Sequence, residues 1–301
     1  MIKIAFHPIY AHPLPEGHRF PMIKYELIPD QLLYEGTVRN ENFFQPKSVS
    51  EKDVLAIHST KYFNDLLNLT LNEKEIRKIG FPLSIELIHR ELIITQGTID
   101  CCTFAAKYGV AFNVAGGTHH AFSDSGEGFC LLNDVAIAAK KLILEKKAQQ
   151  ILVLDLDVHQ GNGTAKIFEN NDQVFTFSMH GKDNYPLHKS NSDLDIELPT
   201  GCETEEYLAL LSYNLPLLIA NLKPNHIFYV AGVDVLQTDK LGKLNLTKEG
   251  CLARDRFVFN QAKSNEIPIV VVMGGGYSPK IIDILDAHCN TFRAPNELYL
   301  F

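Results

Sequence analysis

Residues 151–164 read ILVLDLDVHQGNGT. An apolar run leads into Asp155, Asp157 and His159 at alternate positions, and side chains two apart on a strand point the same way. Three ionisable groups projecting together from the end of a buried strand are costly unless something compensates them. A divalent cation does so, because carboxylate plus imidazole is a donor set that zinc and related metals accept. Solvated acids, or caps of the next helix, are the competing reading. That reading suits a lone Asp better than Asp-x-Asp-x-His followed by Gly-Asn-Gly.

Three further segments place polar residues at the end of an apolar run. In FNVAGGTHHAF, residues 112–122, two glycines let the backbone approach a ligand closely, and His119 and His120 follow. Histidine titrates near neutrality, so the pair suits general acid/base work, although adjacent histidines also serve as surface residues or hydrogen bonders. In IFYVAGVDVLQTDKLGKLNLT, residues 227–247, Asp234 stands at a strand end. An isolated acid there caps a helix just as readily. Asp157 and His159 nevertheless need a third protein ligand if zinc is to keep one position open for water. In VVVMGGGYSPK, residues 270–280, Tyr277 follows three glycines. A phenol beside a Lewis acid can donate to a developing oxyanion, while a packed turn tyrosine is the simpler reading of this segment taken alone.

The elements that must position these residues follow from the pattern. Strands are predicted over 2–6, 110–115, 151–157, 174–179, 226–232 and 268–273, several apolar on both faces, as buried parallel strands are. Helices are predicted over 54–69, 83–108, 133–147, 203–222, 247–263 and 279–292. Gly109 is placed as a C-terminal cap and Pro279 in the first turn of the last helix. This alternation predicts an α/β fold, an open parallel sheet with helices on both faces, in one domain over residues 1–301. In such sheets the chemistry sits at the C-terminal ends of the strands.

Composition narrows the class. The chain has 301 residues, enough to bury about three quarters of its unfolded surface without disulfides. A net charge of -8 argues against direct binding to a nucleic-acid backbone but leaves room for a cationic peptide. The six cysteines show neither CxxC spacing nor the density of a secreted scaffold. No signal peptide and no run of the ~20 apolar residues that span a bilayer is evident. The expectation is a soluble, cytoplasmic protein with reduced thiols and no membrane span.

In chain order, GGTHHAF, GFCLLND, DLDVHQGNGT, AGVDVLQTDKLG and MGGGY resemble the arginase-like histone deacetylase superfamily, from near Ile4 to about Phe292. HPLPEGHRFPMIKY is similar to the family's opening segment, and DLDVHQGNG with DVLQTDKLGKL looks most like class IV deacetylases and their bacterial relatives. The resemblance implies a sheet of about eight strands and one catalytic Zn2+ on Asp157, His159 and Asp234, with Fe2+ the other candidate metal. It implies His119 and His120 as the histidine pair, His120 being the base, and Tyr277 as the group that polarises the acyl carbonyl. Asp155 would hold His119. With Asp157, His159, Ser178 and Met179 it would also bind a structural K+ or Na+. Phe129 and Gly128 would wall an acyl-lysine tunnel, together with Gly275 and Tyr185. Two residues depart from many relatives: Gln160 replaces a second histidine, and Asn162 stands where class I members pair an acid with the second histidine. The class IV pattern carries this Asn as well. It is counted here with the catalytic residues, as a neutral group orienting His120.

The implied activity is zinc-dependent hydrolysis of acyl groups, acetyl or longer, from the lysine side-chain amine of a protein or peptide. Hydrolysis of acetylpolyamines or other acylated small amines is the alternative, with Asp124 and Glu127 as acids to receive a polyamine. An arginase-type pair of Mn2+ ions would require a second acidic set. A non-catalytic acyl-lysine reader would have lost a ligand, the base or the tyrosine.

Overall fold

Runs of Val, Ile, Leu and Phe form the strands, and the central ones are buried at every position: β3 (Val110–Asn113), β4 (Ile151–Asp155), β7 (His226–Val230) and β8 (Ile269–Val272). Complete burial needs cover on both faces, which helices provide in parallel sheets. The computed structural model describes residues 2–299. Four more strands complete one eight-stranded sheet: β1 (Lys3–Ala5), β2 (Phe43–Phe44), β5 (Val174–Gly181) and β6 (Leu194–Leu198). Their order is β2-β1-β3-β8-β7-β4-β5-β6 and every pairing is parallel. The predicted α/β class and parallel sheet are therefore present. The two strands that the sequence did not reveal are the edges, a two-residue β2 and a half-exposed β6.

The helices are α1 (Lys24–Tyr34), α2 (Glu51–Val54), α3 (Thr60–Leu67), α4 (Glu73–Ile79), α5 (Ile85–Tyr108), α6 (Asp134–Leu144), α7 (Asn162–Phe168), α8 (Thr204–Leu222), α9 (Lys248–Ser264) and α10 (Ile281–Arg293). α5 packs on α6 and on β1, β3 and β8, while α9 joins α8 to α10 and α10 packs on α1. Gly109 does cap α5, at φ +89. Of the helix predicted over 54–69 only α3 forms, because α2 ends at Val54 and residues 55–59 are a turn. Ser59 breaks it by capping α3, its hydroxyl accepting from Tyr62 N–H, while its own N–H donates to Ser123 O at 2.8 Å. The last helix begins at Ile281, so Pro279 precedes it.

The strand order matters most for function. β3, β8, β7 and β4 are consecutive neighbours, so the loops that follow them lie side by side. Those are the four loops that carry His119 and His120, Tyr277, Asp234, and Asp157 with His159. Among the described residues no helix is long and apolar enough to cross a membrane.

Candidate active site

β4 ends at Asp155, two residues earlier than predicted, so Asp157 and His159 are aimed by loop geometry rather than by strand alternation. His159 N–H donates to Asp157 Oδ1 at 2.9 Å, Val158 N–H donates to Asp234 Oδ1 at 2.9 Å, and Gly275 N–H donates to Asp157 Oδ2 at 2.7 Å. The result is a buried trio, Asp157, His159 and Asp234, with one ligand atom from each lying within 4.8 Å of the others. Asp234 Oδ2 is buried without a hydrogen-bond partner; His159 Nδ1 lies 3.1 Å away but outside hydrogen-bonding alignment. An orphaned acceptor beside a second carboxylate and an imidazole is a donor set that fits a divalent cation. Burial opposes charge on His159, yet the two carboxylates overcome it and raise its pKa to about 10. That proton takes the place a cation would fill, because a ligating imidazole must be neutral.

Asp155 turns away from the trio and binds His119, Nδ1 to Oδ2 at 2.7 Å. Burial alone would lower the His119 pKa, but the carboxylate lifts it to about 9. His120 is pushed the opposite way, well below the ordinary histidine range, by burial and by its neighbours His119 and His159. Two adjacent histidines with divergent proton affinities supply one charged and one neutral imidazole, the division of labour that acid/base catalysis needs.

A chain of hydrogen bonds fixes which nitrogen of His120 is free. Glu127, when ionised, only accepts, so Asn162 Nδ2 must donate to it at 2.6 Å. The Asn162 Oδ1 atom then faces His120 Nδ1 at 2.7 Å and accepts its proton. His120 Nε2 is left as the acceptor. Lys78 pairs with the other Glu127 oxygen. Glu127, named above as an acid to receive a polyamine, is thus buried and engaged, and Asp124 lies exposed outside the residues that line the cavity.

Several residues that hold these loops escaped the sequence reading, although some lay inside its motifs. Asp134, the last letter of GFCLLND, accepts from Gly117 N–H at 3.2 Å and from Thr118 N–H at 2.9 Å, fixing the histidine loop. Asp239, inside DVLQTDKLG, accepts from Tyr277 N–H at 2.6 Å and so anchors the tyrosine. Lys24 is fully buried and donates to Gly274 O at 3.1 Å; burial brings its pKa down to about 8. Arg254 of α9, also fully buried, donates to Leu156 O at 3.2 Å and Gly232 O at 2.7 Å. It thereby ties together the two ligand-bearing loops, and Asp255 at 2.9 Å balances its charge. Spacing gave no signal for Lys78, nor for the contacts of Lys24 with Gly274 and of Arg254 with Leu156 and Gly232, because these partners are distant in the chain.

A narrow cavity lies over the trio, lined by Phe20, Phe81, Phe129 and Tyr277 with Gly128 and Gly275. Gly128 has φ +56, and a Cβ there would stand 2.5 Å from His120 Cδ2, so the loop bearing Phe129 can press on the base only as glycine. Tyr185 meets His120 edge-on, with ring centroids 5.1 Å apart, and lines the outer cavity. Burial, followed by Asp234 and Asp157, raises the Tyr277 phenol well above its ordinary range, so it keeps its proton to donate. Ser178 is the register partner of Asp155, and Met179 follows it, buried, on β5. Gln160 faces away from the trio and ties its loop to β6, donating to Asp195 at 2.8 Å and to Ser190 O at 2.7 Å. All six cysteines are buried and free.

The histone deacetylase domain family matches residues 18–291. The chain belongs to that family. Hydrolase chemistry of the deacetylase kind follows from this membership. The chain is 42% identical over 296 residues to an uncharacterized protein of Picosynechococcus sp., covering 98% of this chain and 99% of the relative. It is 29% identical to histone deacetylase 2 of Arabidopsis thaliana, over 86% of this chain and 70% of that one. With histone deacetylase 1 of Homo sapiens it shares 26% identity, over 94% of this chain and 63% of the human protein. A crystal structure of the HDA15 HD domain has the same fold, with a TM-score of 0.80 at 18% identity, covering 96% of this chain and 89% of that one.

Proposed function

We propose that this histone deacetylase family member removes acyl groups from the side-chain amine of lysine in proteins or peptides, using a zinc ion on Asp157, His159 and Asp234. One observation carries the reading: the buried, under-satisfied trio lies against a histidine pair of split basicity, at the floor of an aromatic-walled cavity. When bound, zinc would supply Lewis-acid polarisation of the acyl carbonyl and acidify a water toward a pKa of ~7.

The protein's own groups complete the reaction. His120 Nε2 accepts a proton from the attacking water as the C–O bond forms. The Tyr277 hydroxyl donates to the carbonyl oxygen as it gains negative charge. His119, kept positive by Asp155, adds a fixed charge on the same side. As the C–N bond breaks, His120 returns its proton to the lysine nitrogen, and the products are a carboxylic acid and a free amine. Phe129, Gly128, Gly275 and Tyr185 wall the path of an extended, uncharged acyl-lysine. A structural K+ or Na+ at Asp155, Asp157, His159, Ser178 and Met179 belongs to the same proposal; the Asp155–Ser178 register supports it.

The deciding experiment is an activity panel of acetyl-lysine and long-chain acyl-lysine peptides with acetylpolyamines, each with and without a zinc chelator, after metal analysis of the purified protein. Chelator-sensitive release of lysine amine from the peptides supports the reading. Turnover of acetylpolyamines alone, or full activity without metal, overturns it.

A further inference from the structure

We infer that the substrate is an acyl-lysine flanked by acidic residues, a reading that rests on the deacylase function above and specifies its partner. The cavity opens outward past Tyr185 into a mouth of about 530 Å³ whose lining carries Arg19, Arg77, Lys78 and Lys243 against a single carboxylate, Asp183. The chain as a whole has 36 acidic and 28 basic residues, so the sign of charge at the mouth is the reverse of that of the molecule. One of these four cations, Lys78, is already paired with Glu127, which is buried beneath it and also accepts from Asn162.

The other three cations remain available. Among the described residues, Arg19, Arg77 and Lys243 have no carboxylate within 4.0 Å. Arg19 lies 4.9 Å above the Phe129 ring, and Lys243 donates only to the Asp183 carbonyl, at 2.7 Å. Asp183 itself accepts from Thr200 at 2.8 Å. Arg19, Arg77 and Lys243 are solvent-exposed, so their charge reaches an approaching segment rather than the interior.

Depth decides where on the substrate the matching charge belongs. The inner cavity is largely aromatic, with Phe20, Phe81 and Phe129 beside Asp157 and His159; its one lining Arg, Arg90, is buried and paired with Glu91, and the space would hold the neutral acyl-lysine. The unpaired cations stand outside it, where residues on either side of that lysine must lie. Carboxylates in those positions meet complementary charge, whereas a polyamine or a Lys/Arg-rich tail meets like charge. Each exposed contact is weak on its own, so the effect is the sum of several and declines with salt.

The test uses acetyl-lysine peptides of equal length with Asp/Glu, neutral or Lys/Arg flanks, together with an acetylpolyamine. Turnover (kcat/KM) is measured, and binding of labelled peptides is followed separately by fluorescence anisotropy, at about 0.05 M and about 1 M salt. We expect the acidic peptide to exceed the basic one about tenfold at low salt in both readouts and the ratio to approach one at high salt. The charge-reversed double variant R77E/K243E, its fold checked by thermal denaturation, should invert the order. Ratios within twofold at low salt, or a preference for the basic peptide or the polyamine, overturn the inference while leaving deacylation standing. Salt-sensitive binding of the acidic peptide without turnover of any peptide would instead sink the deacylase reading and keep the charge preference.

Discussion

Replacing Asn162 with Asp should destabilise the protein in a pH-dependent way that a second substitution, at Glu127, repairs. Asn162 Nδ2 sits 2.6 Å from Glu127 Oε1. In N162D the bond becomes a contact between two carboxylates whose centres are about 4 Å apart. At an effective dielectric of about 20, that repulsion is about 4 kcal/mol, equivalent to a shift of about three pKa units. Lys78, half-exposed on the far oxygen of Glu127, offsets only part. One of the two carboxylates should therefore keep a proton well above the ordinary carboxylate range. A pKa raised on folding stabilises below the unfolded value and loses that contribution as pH rises through the folded one. N162D should accordingly resemble the wild type near pH 4.5 and lose up to about 4 kcal/mol by pH 8. E127Q alone keeps an oxygen to accept from Asn162 and should cost no more than about 1 kcal/mol. The double variant N162D/E127Q swaps acid and amide, restores the donor–acceptor match, and should recover most of the loss. Denaturant unfolding of the four proteins at both pH values, at fixed metal concentration, measures the coupling. A coupling below about 0.5 kcal/mol at pH 8, or an N162D penalty that does not change with pH, would refute the hydrogen-bond chain from His120 to Glu127.

H120A should abolish deacylation with metal content unchanged, and Y277F should lower turnover by about 10²–10³-fold; near-normal rates in either would remove that residue from the chemistry. G275A should weaken metal binding by about 10–100-fold in a chelator competition, since its Cβ would stand 2.0 Å from Asp234 Oδ2; wild-type affinity would contradict this. Acid should destabilise the fold through His58. Burial lowers its pKa from 6.5 to about 4, and its Nε2 accepts Asn133 N–H at 3.0 Å. The unfolded chain takes up that proton first, so stability falls between pH 6.5 and about 4, by about 3 kcal/mol. H58Q, whose amide oxygen can accept the same bond, should flatten this slope. An unchanged slope would assign the acid lability elsewhere.

What could be read from the sequence was whatever lay close together in it. Asp157 and His159 stand two apart, so their cooperation showed in spacing alone, even though a loop rather than a strand aims them. Asp234 lies 77 residues beyond Asp157. Spacing made it eligible, and the family resemblance promoted it. The central strands were legible because burial on both faces demands continuous apolar runs. β6 was not, since a half-exposed edge strand has no such run. α1 holds Pro29 and presents little periodicity, and α7 begins at Asn162 inside a glycine-rich motif. Glu127 illustrates the limit most sharply. As a letter it was an acid near a motif; only the fold places it behind Asn162 and under Lys78.

The neighbourhood of β3, β8, β7 and β4 has a consequence for how this protein comes to hold its metal. Asp157 receives one of its hydrogen bonds from Gly275, and the strand leading to Gly275 threads between strands synthesised much earlier. A growing chain that has already made Asp157, His159 and Asp234 therefore still lacks the Gly275 N–H that holds Asp157 and the strand that fits between β3 and β7. Pairings so distant in sequence form late, after most of the closure entropy has been met. The metal should be captured after synthesis, by the completed sheet. Its binding energy then adds to the stability of the finished fold.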